Sequence, residues 1–467
     1  MPLRLTKFLY LIISFLFIGN VIHLFGQSDE YLFSHFSSGL GARALGMGKA
    51  YLAISDDSFA SSWNPAGLAE ISEPEFSLSF SYLNSKNKIP EYRYEGIQVG
   101  YTTNYQVSDT KAASYGQYFN FLGFAYPFRI LGRNVVTQLC YQRKVPFSLT
   151  RRYEYKFEYQ SRYRYDYDYR LQSAGDGGYD VISLTLASEI FKNFRVGVVI
   201  NRWFNGFSLP VEEAYAYSVE NYYGLTADWN ESLDDTLRFE ISGYSFSVGL
   251  LYKISEKINI GFVYKSRFQG NLDYSNEAEF SNSYDGASLS GSYSGSGEIY
   301  LPPAFGAGIA LNLTPNLLIS FDYMKTLWSK GRIKDYARAN SSGGIPSSEE
   351  FLYPTMKSPD LYEQLDTQHY AAGLEYRAKI KKIAFPLRAG LFYDLQYSLE
   401  SENIQKGYFG ISFGSGYRWR NLKFDLALVR YSSKFKYIHD YLEFYYGYIR
   451  SARTNMTLLQ ATMSYTF

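Results

Sequence analysis

Residues that could do chemistry are few in this chain, and their spacing argues against catalysis. Gly410, Ile411, Ser412, Phe413 and Gly414 spell GxSxG, the pattern of a nucleophile elbow, but they sit in an alternating segment and not at a strand–turn–helix junction. The four histidines, His23, His35, His369 and His439, show no metal-ligand spacing. Asp56-Asp57 and Asp234-Asp235 have the chemistry for calcium, yet the first pair reads as charge at a helix start and the second as a solvated loop. No GxxxxGK[ST] phosphate loop occurs, so no residue points to an energy source. The single cysteine, Cys140, excludes internal disulfides, cysteine-rich metal sites and a lipidated N-terminal cysteine. With 46 basic and 45 acidic side chains interspersed, the chain lacks the basic footprint of a nucleic-acid binder. The chain reads as no enzyme, with no cofactor and no metal.

The elements that would carry these residues are strands. In the last residues Leu459, Ala461, Met463, Tyr465 and Phe467 share one face, and Gln460, Thr462, Ser464 and Thr466 the other, a period of two. An apolar face ending in aromatics opposite a small polar face suits a strand between lipid and a wet lumen, although an edge strand of a soluble sandwich alternates alike. Composition favours lipid: 19% of residues are aromatic, 48 of them Tyr, while mean hydropathy is only −0.25. Such a chain supplies interfacial rings without long apolar runs.

Short turns are expected at 128–133, 190–193, 254–257, 313–316, 380–384 and 419–421, separated by long polar interruptions at about 84–116, 144–178, 204–240, 269–302, 328–367, 396–406 and 433–452. Six short turns and seven long loops predict an all-β, transmembrane antiparallel β-barrel of about fourteen strands over residues 75–467, with short periplasmic turns opposite long extracellular loops. Arg4 and Lys7 before the apolar run 8–18 read as a secretory signal over residues 1–26, with an uncleaved anchor as the alternative. No other segment approaches 18 consecutive apolar residues, and only helices and closed barrels satisfy their backbone in lipid. From Tyr153 to Tyr169 rings recur at even spacing opposite charges; the two readings are an aromatic wall at the entrance and a strand pair raised above the membrane.

Residues 27–74 do not alternate. Ser55 is expected to cap a short helix with Asp56 and Asp57 in its first turn, ending before Pro65. A compact segment of this size can fold back into a wide barrel as a plug.

The stretch 41–68, with GARALGMG, AISDD and WNPAGLA, resembles the N-terminal region of the FadL/OmpP1/TodX family of outer-membrane transporters, as do LPPAFGAGIALNLTPNLLISFDYMKTLW at 301–328 and HYAAGLEYRAKIKKIAFPLRAGLFYD at 369–393. The resemblance implies a monomeric fourteen-stranded barrel with an N-terminal hatch, passive uptake of long-chain fatty acids or aromatic hydrocarbons through hatch movement, and a lateral exit into outer-membrane lipid. The family's NPA element falls on Asn64, Pro65 and Ala66, followed by Gly67. The third strand, beginning at Asn134, meets Pro146, which cannot donate to a ladder. Pro146 then marks either a lateral opening met by the Asn64 segment or simply the strand's end at the rim. Tyr465 and Phe467 carry the C-terminal signal for the barrel-assembly machinery. Arg267, Arg377 and Arg388 are the candidates to meet a carboxylate headgroup. The opening block also resembles PorV-type barrels of type IX protein secretion, which leaves a secretion-linked shuttle as the alternative function.

Overall fold

The computed structural model describes residues 39–89, 92–98, 101–107, 110–130, 132–146, 150–160, 164–220, 226–283, 286, 288–330, 332–335, 366–380, 383–395, 407–438 and 449–467. The signal at 1–26, and with it His23, lies outside them, as do His35 and His439. Fourteen antiparallel strands close a ring: β1 (Glu75–Ile89), β2 (Thr110–Ile130), β3 (Arg133–Pro146), β4 (Asp176–Phe191), β5 (Phe194–Phe204), β6 (Thr226–Ser255), β7 (Ile258–Lys265), β8 (Ala304–Thr314), β9 (Leu317–Thr326), β10 (Thr367–Ile380), β11 (Ile383–Leu395), β12 (Gly407–Trp419), β13 (Leu422–Ile438) and β14 (Ile449–Thr466). Each pairs with the next, and β14 returns to β1 with Glu75 opposite Thr466. Closure removes strand edges around the ring, save between residues 116–120 of β2 and 143–146 of β3.

Alternation explains the two faces. On β14, Gln460, Thr462 and Ser464 are buried toward the lumen while Leu459, Ala461 and Tyr465 face outward, as the sequence predicts. Ser77 of β1 and Ser464 of β14 meet inside at 2.6 Å, which satisfies both hydroxyls where the seam closes. Outside, Phe80, Leu122, Leu139, Leu184 and Phe413 form part of an apolar band that lipid would cover.

All six short turns fall where expected, joining β2–β3, β4–β5, β6–β7, β8–β9, β10–β11 and β12–β13. Asn193 takes φ 67° in one of them, a conformation that asparagine tolerates better than most residues. The long interruptions are not plain loops. Strands 92–98, 101–107, 150–160, 164–174, 206–220, 268–282, 288–301 and 332–335 continue the ladder beyond the barrel, and β6 alone runs for 30 residues. Asp234-Asp235 therefore lies in β6, paired to strands on both sides, and not in a solvated loop. Residues 150–160 and 164–174 form a hairpin pairing Tyr155 with Tyr169, which agrees with the strand-pair reading. The rings from Tyr153 to Tyr169 lie outside the described side chains, so the aromatic wall is not placed.

Candidate functional site

Ahead of β1, residues 39–74 fold into a short helix α1 (Ala42–Gly46) and two 3-10 turns, Ser58–Ser62 and Pro65–Glu70. Their local logic is capping. Asp57, not Ser55, caps the first 3-10 turn by accepting from the Phe59 N–H at 3.1 Å; Ser55 instead donates to the Tyr51 carbonyl. The carboxylate prevails because it offers a full charge to an unpaired N–H. Asn64 caps the second turn with its side-chain oxygen on the Ala66 N–H at 3.2 Å, and Pro65 follows at the first position, where no N–H is needed. Asn-Pro-Ala is thus a cap, a pre-set φ and an acceptor-seeking N–H in succession.

This segment is packed against strands around the ring. A belt of glycines makes the fit. A Cβ at Gly390 would overlap Gly48, at Gly373 Met47, at Gly261 Leu52, at Gly249 Asn64 and at Gly197 Pro65, so five strands from β11 to β5 leave out a side chain where the segment passes. Gly373 and Gly390 are directly opposite in register, as are Gly197 and Gly249. Polar groups fill the intervening strands. Asp322 of β9 accepts from the Tyr51 and Leu52 N–H groups at 2.6 and 2.7 Å. Ser412 of β12 accepts from the Gly48 N–H and donates to the Gly46 carbonyl at 2.8 and 3.1 Å. The serine of the GxSxG pattern is therefore a docking residue of a strand. The Asn64 amide donates to Leu52 at 2.8 Å and to Leu250 of β6 at 3.0 Å.

Charges tie the segment further. Arg43 pairs with Asp56 and with Glu375, the latter at 2.9 Å, and Arg388 joins Glu375 to Asp425 at 2.7 and 2.6 Å. Burial opposes the Arg43 charge, but Asp56 and Glu375 more than offset it and hold its pKa well above the usual value. Burial pushes the Asp57 carboxyl up, against the pull of Lys423 and Arg43. Lys49 is buried, 3.5 Å from Asp394, with its ammonium over the Phe392 and Tyr431 rings at 4.7 and 5.2 Å. Of the three candidate arginines, Arg388 is committed to two carboxylates, and Arg267 and Arg377 are exposed. Arg377 shares the face of Glu375 and lies 3.9 Å from it.

The pairing of β2 with β3 is interrupted ahead of Pro146. Pairing of β2 with β3 runs from Ile130 opposite Arg133 to Phe121 opposite Gln142 and stops; β2 next pairs at Tyr115, with Thr150 of the following hairpin. Among the described residues, 116–120 of β2 and 143–146 of β3 have no ladder between them. Both strands bulge at this height: Asn120 is the extra residue against β1, Lys144 against β4. Pro146 ends β3 opposite Gly178 of β4, so it sits at the strand's end and at the break together. The Asn64 segment does not meet it. The glycines Gly197, Gly249 and Gly261 draw the start of the NPA turn to β5–β7, its end meets β3 near the short turn, where Asn134 donates to the Ala69 carbonyl at 3.2 Å, and the turn Ser58–Ser62 meets β2 and β3 through Gln138 on the Ser58 carbonyl at 2.8 Å and Phe59 on Phe121 at 4.4 Å.

An apolar cluster fills the ring on one side of the segment and reaches this break. It includes Trp203, Phe268, Trp328 and Phe392, and it ends at Val145 of β3 with Tyr118 of β2 packed against it. On the outward side, the Phe119 and Tyr141 rings stack at 5.9 Å. The cluster takes in Ala42, Leu45 and Ala50 of the N-terminal segment, so apolar side chains pack from that segment to the edge of the break. At the seam, Phe467 donates its N–H to the Pro74 carbonyl at 3.0 Å and packs on Tyr465 and Phe124.

Residues 31–467 match the model of the outer membrane transport protein family OMPP1/FadL/TodX. Among curated protein sequences, none matches. Solved structures of the same fold include a Pseudomonas aeruginosa FadL homologue (14% identity, 92% of this chain and 98% of that one, TM-score 0.56). The Pseudomonas putida toluene transporter TodX is similar at 14% identity, with the same coverage and a TM-score of 0.55. The Ralstonia pickettii toluene transporter TbuX is similar at 15% identity over 92% and 99% of the two chains, with a TM-score of 0.51. A closed fourteen-stranded barrel and a family match along nearly its whole length lead to one conclusion: the chain belongs to the OMPP1/FadL/TodX family of outer-membrane transport proteins, which are channels and not enzymes.

Proposed function

We propose that this barrel takes up long-chain fatty acids or aromatic hydrocarbons passively, with residues 27–74 as a hatch across the lumen and the β2–β3 break as a lateral exit into lipid. The observation that carries the reading is the missing ladder between residues 116–120 and 143–146, with the apolar cluster ending at its edge in Tyr118 and Val145. A hydrophobic solute gains nothing from crossing a wet pore, whereas a side exit leads it from one apolar surface to another. Toluene transport by TodX and TbuX supports the aromatic branch of the reading; the choice between the two cargos belongs to experiment. In the same reading the barrel acts as a monomer, and the assembly machinery engages Tyr465 and Phe467 of the last strand.

The test is uptake of a labelled long-chain fatty acid, and separately of toluene, by cells lacking their own importer. Wild type should raise uptake of one cargo. Deleting Lys144 removes the bulge of β3 against β4 and re-aims the end of β3 beside the break, so uptake should change severalfold while heat-modifiable migration still reports a folded barrel. Asn64→Ala removes the cap of the NPA turn and should alter uptake by loosening the hatch. If the folded wild type moves neither cargo, the transport reading fails and the secretion-linked alternative takes its place.

A further inference from the structure

At the long-loop end of the seam the outward face turns from apolar to basic within one step of the ladder. Leu428 of β13, Leu459 of β14 and Tyr82 of β1 stand opposite one another in register, all exposed on the lipid side. Two residues further out the row is Arg430, Thr457 and Asn84, and the next is Ser432, Asn455 and Lys86. Beyond it Lys434 pairs with Arg453, Arg453 with Lys88, and Lys88 with Lys111 of β2; Glu154 of the raised hairpin ends that row. Lys86, Arg430 and Arg453 are exposed. At about 3.3 Å per residue, the basic residues begin roughly 7 Å past the last apolar row and extend over roughly 13 Å.

Like charges directly opposite on neighbouring strands repel, yet the outermost row sets three such pairs in succession. No acid intervenes. The outer parts of these strands, residues 82–89, 110–119, 428–438 and 449–459, contain no Asp or Glu, in a chain whose 46 basic and 45 acidic side chains are otherwise balanced. Such a surface gains from an external polyanion.

Its height says which anion. The long loops of an outer-membrane barrel face outward from the cell, so the level just past the apolar band is the headgroup layer of the outer leaflet. A spread of roughly 13 Å exceeds one phosphate and suits a headgroup that carries phosphates at both ends of a sugar unit. We propose that the outer ends of β13, β14, β1 and β2 bind a phosphorylated glycolipid of the outer leaflet, with Arg430, Lys86 and Arg453 on its phosphates and its acyl chains along Leu428, Leu459 and Phe80 below. The surface holds this lipid whether or not the barrel conducts. Because β2 also borders the break at 116–120, the bound lipid stands beside the proposed exit.

The unfolding temperature of the full-length barrel in neutral detergent, read by heat-modifiable migration, tests it. Bisphosphorylated lipid A should raise it by at least about 3 °C. Lipid A stripped of both phosphates should not, and phosphatidylglycerol should give less than half the shift. The triple variant Lys86→Gln, Arg430→Gln, Arg453→Gln should lose the shift while unfolding without lipid no lower than wild type, since repulsion is relieved. Neutralising the exposed Lys192, Lys257 and Lys379 at the short-turn end to Gln should leave the shift intact. If the triple variant does not fold, Arg453→Gln alone should at least halve the shift. No shift in wild type, an equal shift with the dephosphorylated lipid, or a shift that survives in the variants of the outer rows would overturn the site. Phosphatidylglycerol matching lipid A would overturn the glycolipid as its occupant.

Discussion

Single residues in this barrel act through what they leave out as much as through what they bring. Gly390 and Gly249 matter because the Gly48 backbone and the Asn64 and Pro65 side chains of the N-terminal segment occupy their Cβ positions, while Asn64 matters because one amide caps its own turn and reaches two carbonyls on other elements. Such roles are unequally legible. Asn-Pro-Ala announces a capped turn, but the glycines that receive it are silent, because space for a partner leaves no pattern in a sequence. The same holds for charge. Arg388 reads as a free cation until Glu375 and Asp425 appear on neighbouring strands. Outside the membrane, Asp235 of β6 carries a testable cost. Burial raises its carboxyl to about 6, against hydrogen bonds from Asn276 and the Thr236 backbone. A carboxyl whose folded pKa is raised binds its proton more tightly folded than unfolded, so it destabilises above about pH 6 and ceases to do so below the usual aspartate value. Asp235→Asn should therefore stabilise the raised strands at pH 7 by roughly 1–2 kcal/mol, discounted for partial exposure, with no gain at about pH 3.5. Resistance of the 206–282 region to protease at the two pH values measures it.

Strands and turns were the most readable elements, for a physical reason. Where lipid meets one face and water the other, alternation is enforced, as on β14; where water meets both, it is not. The stretch SLSGSYSGS at 288–296 is ladder-bonded strand, yet it reads as a loop because no apolar face is required of it. The bulge at Lys144 leaves no mark in the sequence, since a register shift has no residue type of its own. The element-scale prediction concerns the belt. Gly390→Val puts three carbons where Gly48 passes, and the β10–β11–β12 ladder cannot move away without losing its pairs. The barrel should still close, but the hatch should detach locally: trypsin should cut after Arg43 or Lys49 in the folded variant and leave wild type intact there. A hatch as protected as wild type would mean that the wall yields instead.

At the scale of the whole molecule, the ring is held by its seam. Phe467 adds one backbone bond to Pro74 and two ring contacts beyond the last β1–β14 pair. On the proposed reading of Phe467 as an assembly signal, removing it should lower the amount of heat-modifiable barrel in the outer membrane much more than it lowers the melting temperature of the barrel that forms, since the long ladder remains. Equal losses in both would make Phe467 a structural plug of the seam and no signal.

The glycine belt also sets an order in time. Residue 46 lies against residue 414, and residue 48 against residue 390, so the segment made first binds the strands made nearly last. Contacts so distant along the chain form late. Until β12 arrives, Gly46 and Gly48 have no complete wall to meet, and the newborn chain must be shielded in the periplasm with that stretch unpacked. Closing the wall and seating its contents are then one event, and a barrel that seals early would seal empty.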